Sequence, residues 1–263
     1  MKKNKFLLVS ILFIVILLVQ PQNFQSLKSV FTQNDLASQL NISDSPEEKN
    51  GDLGNAHQTQ NEELKGKVFD GKHQVIVMND KAQFTDEELS LENGSWEKYS
   101  NLDFLNRVGV AEAMLGKDLM PTNEREDISS VKPTGWKNKK ILFNGKQDYL
   151  YNRSHLIGFQ LSGENANVKN LFTGTRALNA NFDDEKSSMV YYENLVANYI
   201  RETDHHVRYR VTPIFKNVEL VARGIRMEAQ SVEDETVSFD VYLFNVQSGY
   251  DINYLTGTTK KSE

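Results

Sequence analysis

Three residues near the middle of the chain have side chains that could act together in catalysis. Arg153 and His155 are two positions apart, and Asn179 follows 24 positions after the histidine. An imidazole can accept a proton from water near neutral pH, a guanidinium can bind phosphate, and an amide oxygen can ligate a hard cation such as Mg²⁺. The set suits hydrolysis of a phosphodiester, although a lone histidine in so short a motif is more often a structural residue.

The chain as a whole is acidic, but the region around these residues is basic. The formal net charge of −6 excludes a global positive field that would attract nucleic acid. Between positions 131 and 180, however, eight basic side chains accompany two acidic ones. This window is either a solvated face or a local patch that contacts the phosphates of a polyanion without reading its bases. The predicted phosphate-binding residues are Arg153, Arg176, Lys137, Lys139 and Lys140.

The N-terminus predicts export. Three lysines among the first five residues precede an apolar run of 14 residues, Phe6–Val19, which is interrupted only by Ser10. The run is short for a membrane-spanning helix, which needs about 20 residues, and fits the apolar core of a signal peptide. Because the usual small-residue cleavage site is missing, an uncleaved anchor is the alternative. We expect the protein to be secreted or held at the outer face of the cell membrane.

Composition divides the chain into three parts. Residues 1–22 are the signal peptide or anchor, residues 23–66 are predicted to be a flexible polar spacer, and residues 67–263 are predicted to fold. The spacer is polar and has no sustained apolar period. Because the chain has no cysteine, disulfides, thiolate zinc sites and cysteine nucleophiles are excluded.

Hydrophobic periodicity predicts two helices in the folded part. Apolar spacing favours one helix over Leu102–Leu119 and a second over Met189–Ile200. Glu193 lies just outside the apolar stripe of the second helix. It is interpreted as an ordinary boundary residue, and the alternative is a carboxylate directed at a cationic group.

Strands are predicted on both sides of these helices. The pair Asn144-Gly145 favours a tight hairpin whose second strand leads into His155. Alternation around Val207–Val211 places Arg208 and Arg210 on its polar face, where we expect solvent or, less often, a phosphate. Other strands are predicted at 74–78, 217–226 and 237–243. The order of elements favours an α+β fold around a mixed or antiparallel central sheet, with flanking helices.

Five separated motifs follow one another along the chain: Gly116–Pro121, Lys132–Trp136, Asn152–His155, Asn170–Thr175 and Tyr209–Pro213. Together they resemble the DNA/RNA non-specific endonucleases with a ββα-metal fold, in their streptodornase and DNA-entry nuclease branch. The resemblance covers roughly residues 72–254, and several motifs in one order are more specific than any one alone. The family motif reads Asp-Arg-Gly-His, so Asn152 and Ser154 depart from it, which puts the role of the first position in doubt.

The resemblance implies a role for each candidate. His155 would be the general base, and Asn179 would hold a largely hydrated Mg²⁺, with Mn²⁺ able to substitute. Asn181 is the rival of Asn179 for the metal. Arg153 would contact the phosphate, and Glu193 would hold the helix or a metal-bound water.

The expected function is that of an exported, Mg²⁺-dependent, sequence-non-specific endonuclease of DNA, with RNA as a further candidate substrate. No obligate protein partner is evident from the sequence, and a membrane contact is expected only through the N-terminal segment. Two alternatives remain. One is a non-catalytic surface protein that binds nucleic acid, and the other is a toxin-type nuclease with a protein inhibitor.

Overall fold

The computed structural model describes residues 50–143, 145–181 and 184–263, which belong to one compact unit. The predicted signal or anchor and the first part of the predicted spacer lie outside these residues. Within the described ranges, no helix is both long and apolar enough to cross a membrane.

The described chain forms four α-helices and twelve β-strands. The helices are α1 (Asn50–Gly66), α2 (Phe159–Ser162), α3 (Arg176–Asn179) and α4 (Met189–Thr203). The strands are β1 (Gln74–Ile76), β2 (Trp96–Tyr99), β3 (Ala111–Leu115), β4 (Lys140–Phe143), β5 (Lys146–Tyr149), β6 (Tyr151–His155), β7 (Leu171–Thr175), β8 (Val207–Ile214), β9 (Gly224–Ser231), β10 (Ser238–Phe244), β11 (Tyr250–Ile252) and β12 (Thr259–Lys261).

A six-stranded antiparallel sheet, in the order β1-β10-β9-β8-β3-β2, forms the centre of the molecule. The hairpins β4–β5, β6–β7 and β11–β12 lie outside this sheet. Strands β6 and β7, followed in the chain by α4, supply two antiparallel strands and a helix. The predicted α+β class and ββα arrangement are confirmed.

One face of the central sheet is apolar and packs against α4. Strand β8 contributes Val207, Tyr209 and Val211 to this core, and α4 contributes the stripe that includes Val196 and Ile200. The predicted helix from Met189 is therefore confirmed, with its apolar stripe buried. The catalytic candidates lie on β6, α3 and α4.

The other face of the sheet carries a layer of buried charges, which we call the ion-pair layer. Arg226 donates to both carboxylate oxygens of Asp240, at 2.8 and 2.6 Å. Glu228 and Asp240 are 0% exposed. Burial, reinforced by the charge of Glu228, raises the pKa of Asp240 despite the opposing effect of Arg226. The members of the layer are Glu88, Glu112, Arg208, Arg210, Arg226, Glu228, Asp240 and His57.

The expectation that Arg208 and Arg210 face solvent is wrong. The two residues are 2% and 8% exposed. Arg208 donates to Oε1 of Glu112 at 3.0 Å, Arg210 donates to the same oxygen at 2.8 Å, and both also contact Glu88. The carboxylates of Glu88 and Glu112, from two other segments, offset the cost of burying these two cations. Neither arginine lines the cavity that holds the catalytic candidates.

The predicted spacer is also wrong between positions 50 and 66, where the chain forms α1. This helix has no broad apolar stripe because much of its contact with the sheet is polar. His57 Nε2 lies 2.7 Å from Oε2 of Glu228, and Asn61 Oδ1 accepts from Arg226 at 3.0 Å. Leu64 adds an apolar contact in a small cluster with other buried residues. Polar docking of this kind leaves little hydrophobic periodicity in the sequence.

Two further predictions need correction. The segment Leu102–Leu119, which was predicted to be a helix, contains the strand β3 instead. Ala111, Ala113 and Met114 of this strand are all fully buried, so side chains on both of its faces are apolar. A strand buried on both faces loses the alternation that identifies strands. The predicted strand pair at 217–226 begins only at Gly224, after a turn.

Candidate functional site

The catalytic candidates meet at an open cavity of about 670 Å³ at the end of the β6–β7 hairpin. It is lined by Arg125, Ile128, Trp136, Asn138, Tyr149, Tyr151, Asn152, Arg153, His155, Gly158, Asn179, Val190 and Glu193. Four of the residues singled out from the sequence, Arg153, His155, Asn179 and Glu193, are therefore brought together. Their types and the mixed lining suit a charged ligand with aromatic parts.

His155 is the last residue of β6, where its backbone is fixed by pairing with Leu171 of β7. Its side chain is largely buried, and Nε2 lies 2.8 Å from the backbone carbonyl oxygen of Asn165. A carbonyl can only accept, so Nε2 must carry the proton. In the neutral ring the basic lone pair is then on Nδ1.

Burial sets the charge state of this histidine. Desolvation lowers the pKa of His155 from its usual 6.5, and the charge of Arg125 lowers it further. The hydrogen bond to Asn165 and the charge of Glu164 oppose that shift without reversing it. The imidazole is consequently neutral near pH 7, which is the state required of a general base.

A buried asparagine fixes the loop that follows His155. The carbonyl oxygen of Asn170 accepts from the backbone N–H of Leu156 at 2.8 Å. The Asn170 side chain accepts from the N–H of Ile157 at 2.9 Å and donates to the Ile157 carbonyl at 3.0 Å. These contacts extend the β6–β7 ladder past the histidine, so the loop that supplies the Asn165 carbonyl is anchored at both ends.

The serine that departs from the family motif fits a gap left by a glycine. Ser154 is fully buried, and a Cβ built on Gly174 would lie only 2.3 Å from its Oγ. The lack of a side chain at Gly174 therefore makes room for the serine. The departure leaves Arg153 and His155 on either side of it in regular strand geometry.

Asn179 reaches the cavity because α3 begins at a well-capped turn. The Oγ1 of Thr175 accepts from the backbone N–H of Leu178 at 3.1 Å, and the Thr175 N–H donates to the side chain of Asn245. Asn179 ends this short helix and lines the cavity. Asn181 does not line it, and its Nδ2 donates to Ser187 at 3.1 Å.

Glu193 reaches the cavity from α4, across from a glycine. A Cβ on Gly158 would lie 2.5 Å from the Oε2 of Glu193, so the carboxylate occupies the space of a missing side chain. Desolvation raises the pKa of Glu193 to about 7, while Gln160 and the charge of Arg125 act in the opposite direction. Glu193 was interpreted either as an ordinary boundary residue or as a carboxylate directed at a cationic group. Its position in the cavity, within the electrostatic influence of Arg125, favours the second interpretation.

Arg153 is held with its guanidinium at the cavity. Its Nη2 donates to the Ser129 carbonyl at 2.9 Å, its Nε donates to Val131, and its plane lies over Trp136 at 4.4 Å from the ring centre. These contacts orient the group and leave further N–H donors for an anion.

Arg125 is a site residue that the sequence analysis missed. It lines the cavity, stacks over Phe159 at 5.2 Å, and its charge affects both His155 and Glu193. It lies in an irregular segment among acidic residues, where no periodicity or motif distinguished it.

The other predicted phosphate-binding residues lie away from the cavity lining. Arg176 donates to Oδ2 of Asp148 at 2.6 Å. Lys139 donates to the Thr259 carbonyl at 3.0 Å, while Lys137 and Lys140 are exposed. These lysines border the site on the segment leading into and along β4, so contact with a long ligand is open to them.

The donor set fits a hydrated hard cation. Among the described residues there is no group of three or more histidines and carboxylates that could enclose a metal. The cavity instead offers the amide oxygen of Asn179 and the carboxylate of Glu193 beside the gap at Gly158. Oxygen donors in small number suit Mg²⁺, which keeps several of its waters.

Comparisons with known proteins identify the family and the relatives of this chain. A family model described as DNA/RNA non-specific endonuclease matches residues 89–233. A deoxyribonuclease from Streptococcus dysgalactiae subsp. equisimilis is 34% identical over 110 residues, which are 41% of this chain and 32% of that protein. The match thus spans about a third of the relative.

Two solved structures share the fold. NucA from Streptococcus agalactiae, with magnesium ion bound, has a TM-score of 0.65 at 24% identity, over 78% of this chain and 98% of that one. The Sda1 nuclease, with bound zinc ion, has a TM-score of 0.62 at 28% identity, over 72% and 97%.

Proposed function

Because the chain belongs to the DNA/RNA non-specific endonuclease family, we propose that it hydrolyses phosphodiester bonds of DNA, and of RNA as a second substrate. The observation that carries the proposal is the cavity in which a neutral His155, Asn179, Glu193 and Arg153 converge. A buried base, oxygen donors for a cation and an oriented guanidinium are the groups that this reaction needs.

His155 is the general base. Its Nε2–H is committed to the Asn165 carbonyl, so Nδ1 accepts the proton of a water that attacks phosphorus. The lowered pKa keeps the ring neutral at the start of the reaction. The carbonyl of Asn165 then stabilises the imidazolium that forms, because it accepts from the same N–H throughout.

Asn179 is the proposed metal ligand, and Glu193 is the second residue that would help to hold the hydrated cation. A bound Mg²⁺ would supply a Lewis acid that neutralises charge on the scissile phosphate and the leaving oxygen. Asn181 is not favoured, since its side chain is engaged with Ser187 outside the cavity. Zinc and manganese are the other metals to test, because Sda1 is described with zinc.

Arg153 and Arg125 bind the phosphate. Guanidinium groups contact phosphate oxygens in a geometry that is the same for every sequence. The exposed lysines Lys137 and Lys140 extend this contact along the strand. We therefore expect little sequence preference and binding that weakens as salt rises.

Export completes the proposal. The basic, apolar leader of residues 1–22 argues for a secreted or membrane-anchored enzyme. Cell fractionation would test it: activity in the medium or on the outer surface is expected, and activity confined to the cytoplasm contradicts export.

A nuclease assay of the full chain tests the function itself. With Mg²⁺, plasmid DNA and a structured RNA are incubated separately, and each reaction is repeated with EDTA and with EDTA followed by excess Mg²⁺. We expect degradation of DNA that EDTA stops and Mg²⁺ restores. Binding without any cleavage, under every metal tried, would favour the non-catalytic alternative.

A further inference from the structure

The β4–β5 hairpin next to the cavity has two faces of different character. Ile141 points inward and belongs to a buried cluster with Leu150 and Tyr151. The opposite face is exposed, and pairing of Lys140 with Tyr149 and of Leu142 with Gln147 puts these four side chains together. On that face Leu142 is 75% exposed and Tyr149 is 50% exposed.

Tyr149 connects this outer face to the catalytic centre. It lines the same cavity as Arg153 and His155. Tyr149 and His155 are six positions apart in the chain, so their Cα atoms are at most about 20 Å apart. A ligand held at His155 therefore reaches Tyr149 within a few units of its own chain.

The chemistry beside Tyr149 suits a nucleotide. Lys140 is directly opposite on β4, where cross-strand Cβ atoms are about 5 Å apart, so a cation stands beside an exposed aromatic ring. Aromatic rings next to cations bind single strands by stacking on a base while the cation meets the backbone. In duplex DNA neighbouring base pairs cover the ring faces, and only base edges are accessible in the grooves.

We propose that Tyr149 is a stacking subsite for a nucleobase of a single-stranded substrate, with Lys140 against the adjoining phosphate. The proposal deepens the nuclease function, on which it rests, and adds a preference for unpaired strands. Leu142 extends the same face and offers an apolar contact to a second base.

Binding in EDTA tests the subsite without cleavage. A fluorescent single-stranded oligonucleotide and its duplex are titrated with the full chain and with Tyr149→Ala, Tyr149→Trp and Phe104→Ala. Phe104 is the matched control, because it is an aromatic residue 85% exposed that does not line the cavity.

We expect Tyr149→Ala to raise the Kd for the single strand about tenfold, since stacking of one base on an aromatic ring changes affinity by a factor of about 5 to 160. The duplex Kd should stay within about twofold, and Tyr149→Trp and Phe104→Ala should match the wild type. An abasic oligonucleotide should be insensitive to Tyr149→Ala.

Equal weakening for single strand and duplex, or no weakening, overturns the subsite, as does a wild type that binds no single strand. A wild type that binds single strands as expected but cleaves nothing with any metal would overturn the nuclease function and leave the stacking subsite standing.

Discussion

The cavity and the ion-pair layer both concentrate charged side chains, yet they are built in opposite ways. In the layer each arginine meets a carboxylate, as Arg226 meets both oxygens of Asp240. In the cavity Arg153 is held by backbone carbonyls, and Glu193 faces a gap at Gly158. The layer pairs its charges with one another, whereas the cavity holds its charged groups beside open space.

The difference teaches that charge density alone does not locate a site. Arg208 and Arg210 are two neighbouring cations in the ion-pair layer, but their carboxylate partners give them a structural role. His155 and Glu193 are only two titratable groups, but both line an open cavity. Burial lowers the pKa of His155 and raises that of Glu193, so it favours the neutral form of each, and such shifts are typical of functional sites.

The largest expected effect is the loss of the base. His155→Ala should lower kcat/KM for plasmid cleavage about 1000-fold, because a positioned general base contributes on that order. Its thermal midpoint should stay close to that of the wild type. His155→Gln is the matched variant that keeps a polar side chain. If either variant kept activity within tenfold of the wild type, a residue other than His155 would have to be the general base.

In the ion-pair layer the large effect should be on stability instead. Arg226→Met leaves Asp240 and Glu228 without their main cation, and breaking a buried pair costs about 3–5 kcal/mol of unfolding free energy. Urea denaturation measures the loss, and kcat/KM per folded molecule should not change. Lys260→Ala, in the exposed pair with Asp251, is the control and should not alter stability. If Arg226→Met kept normal stability but lost activity, the ion-pair layer would have a catalytic role and the contrast with the cavity would be wrong.

The next effect is expected at Asn179, the proposed metal ligand. Asn179→Ala should raise the Mg²⁺ concentration for half-maximal activity by about tenfold or more, since even residues behind the ligands change metal affinity by that factor. Asn181→Ala should leave this concentration unchanged, because its side chain lies outside the cavity. The reverse pattern would reassign the ligand to Asn181.

A smaller effect is expected at the gap that accommodates Glu193. Gly158→Ala puts a methyl group where the carboxylate lies, and the end of a flexible side chain can shift without unfolding the protein. We expect about a tenfold fall in kcat, since misplaced catalytic groups lose rate steeply. Gly54→Ala, in open space on α1, is the control. An unchanged kcat would remove Glu193 from the mechanism.

Much of the site could be predicted because its residues lie in local patterns. The hairpin at Gly145, with φ of +73°, and the apolar stripe of α4 follow from turn chemistry and helical spacing. The resemblance singled out His155, Asn179 and Arg153, and the fold brings them to one cavity.

The rest depends on contacts between distant segments. The burial of Arg210 requires Glu88 and Glu112, which no local pattern pairs with it. Helix α1 docks through His57 onto Glu228, which lies 171 positions away. Arg125 enters the cavity from an irregular segment, where sequence spacing carries no information about direction.

The pH dependence of kcat/KM at saturating Mg²⁺ tests the neutral His155 most directly. The neutral imidazole predominates above its pKa, and burial lowers that pKa below 6.5, so the fall in activity that depends on His155 should lie below pH 6.5. The residual activity of His155→Ala should lack this acidic limb. An acidic limb that is centred above pH 6.5 and disappears in His155→Ala, or a limb below pH 6.5 that persists in His155→Ala, would contradict His155 as the base.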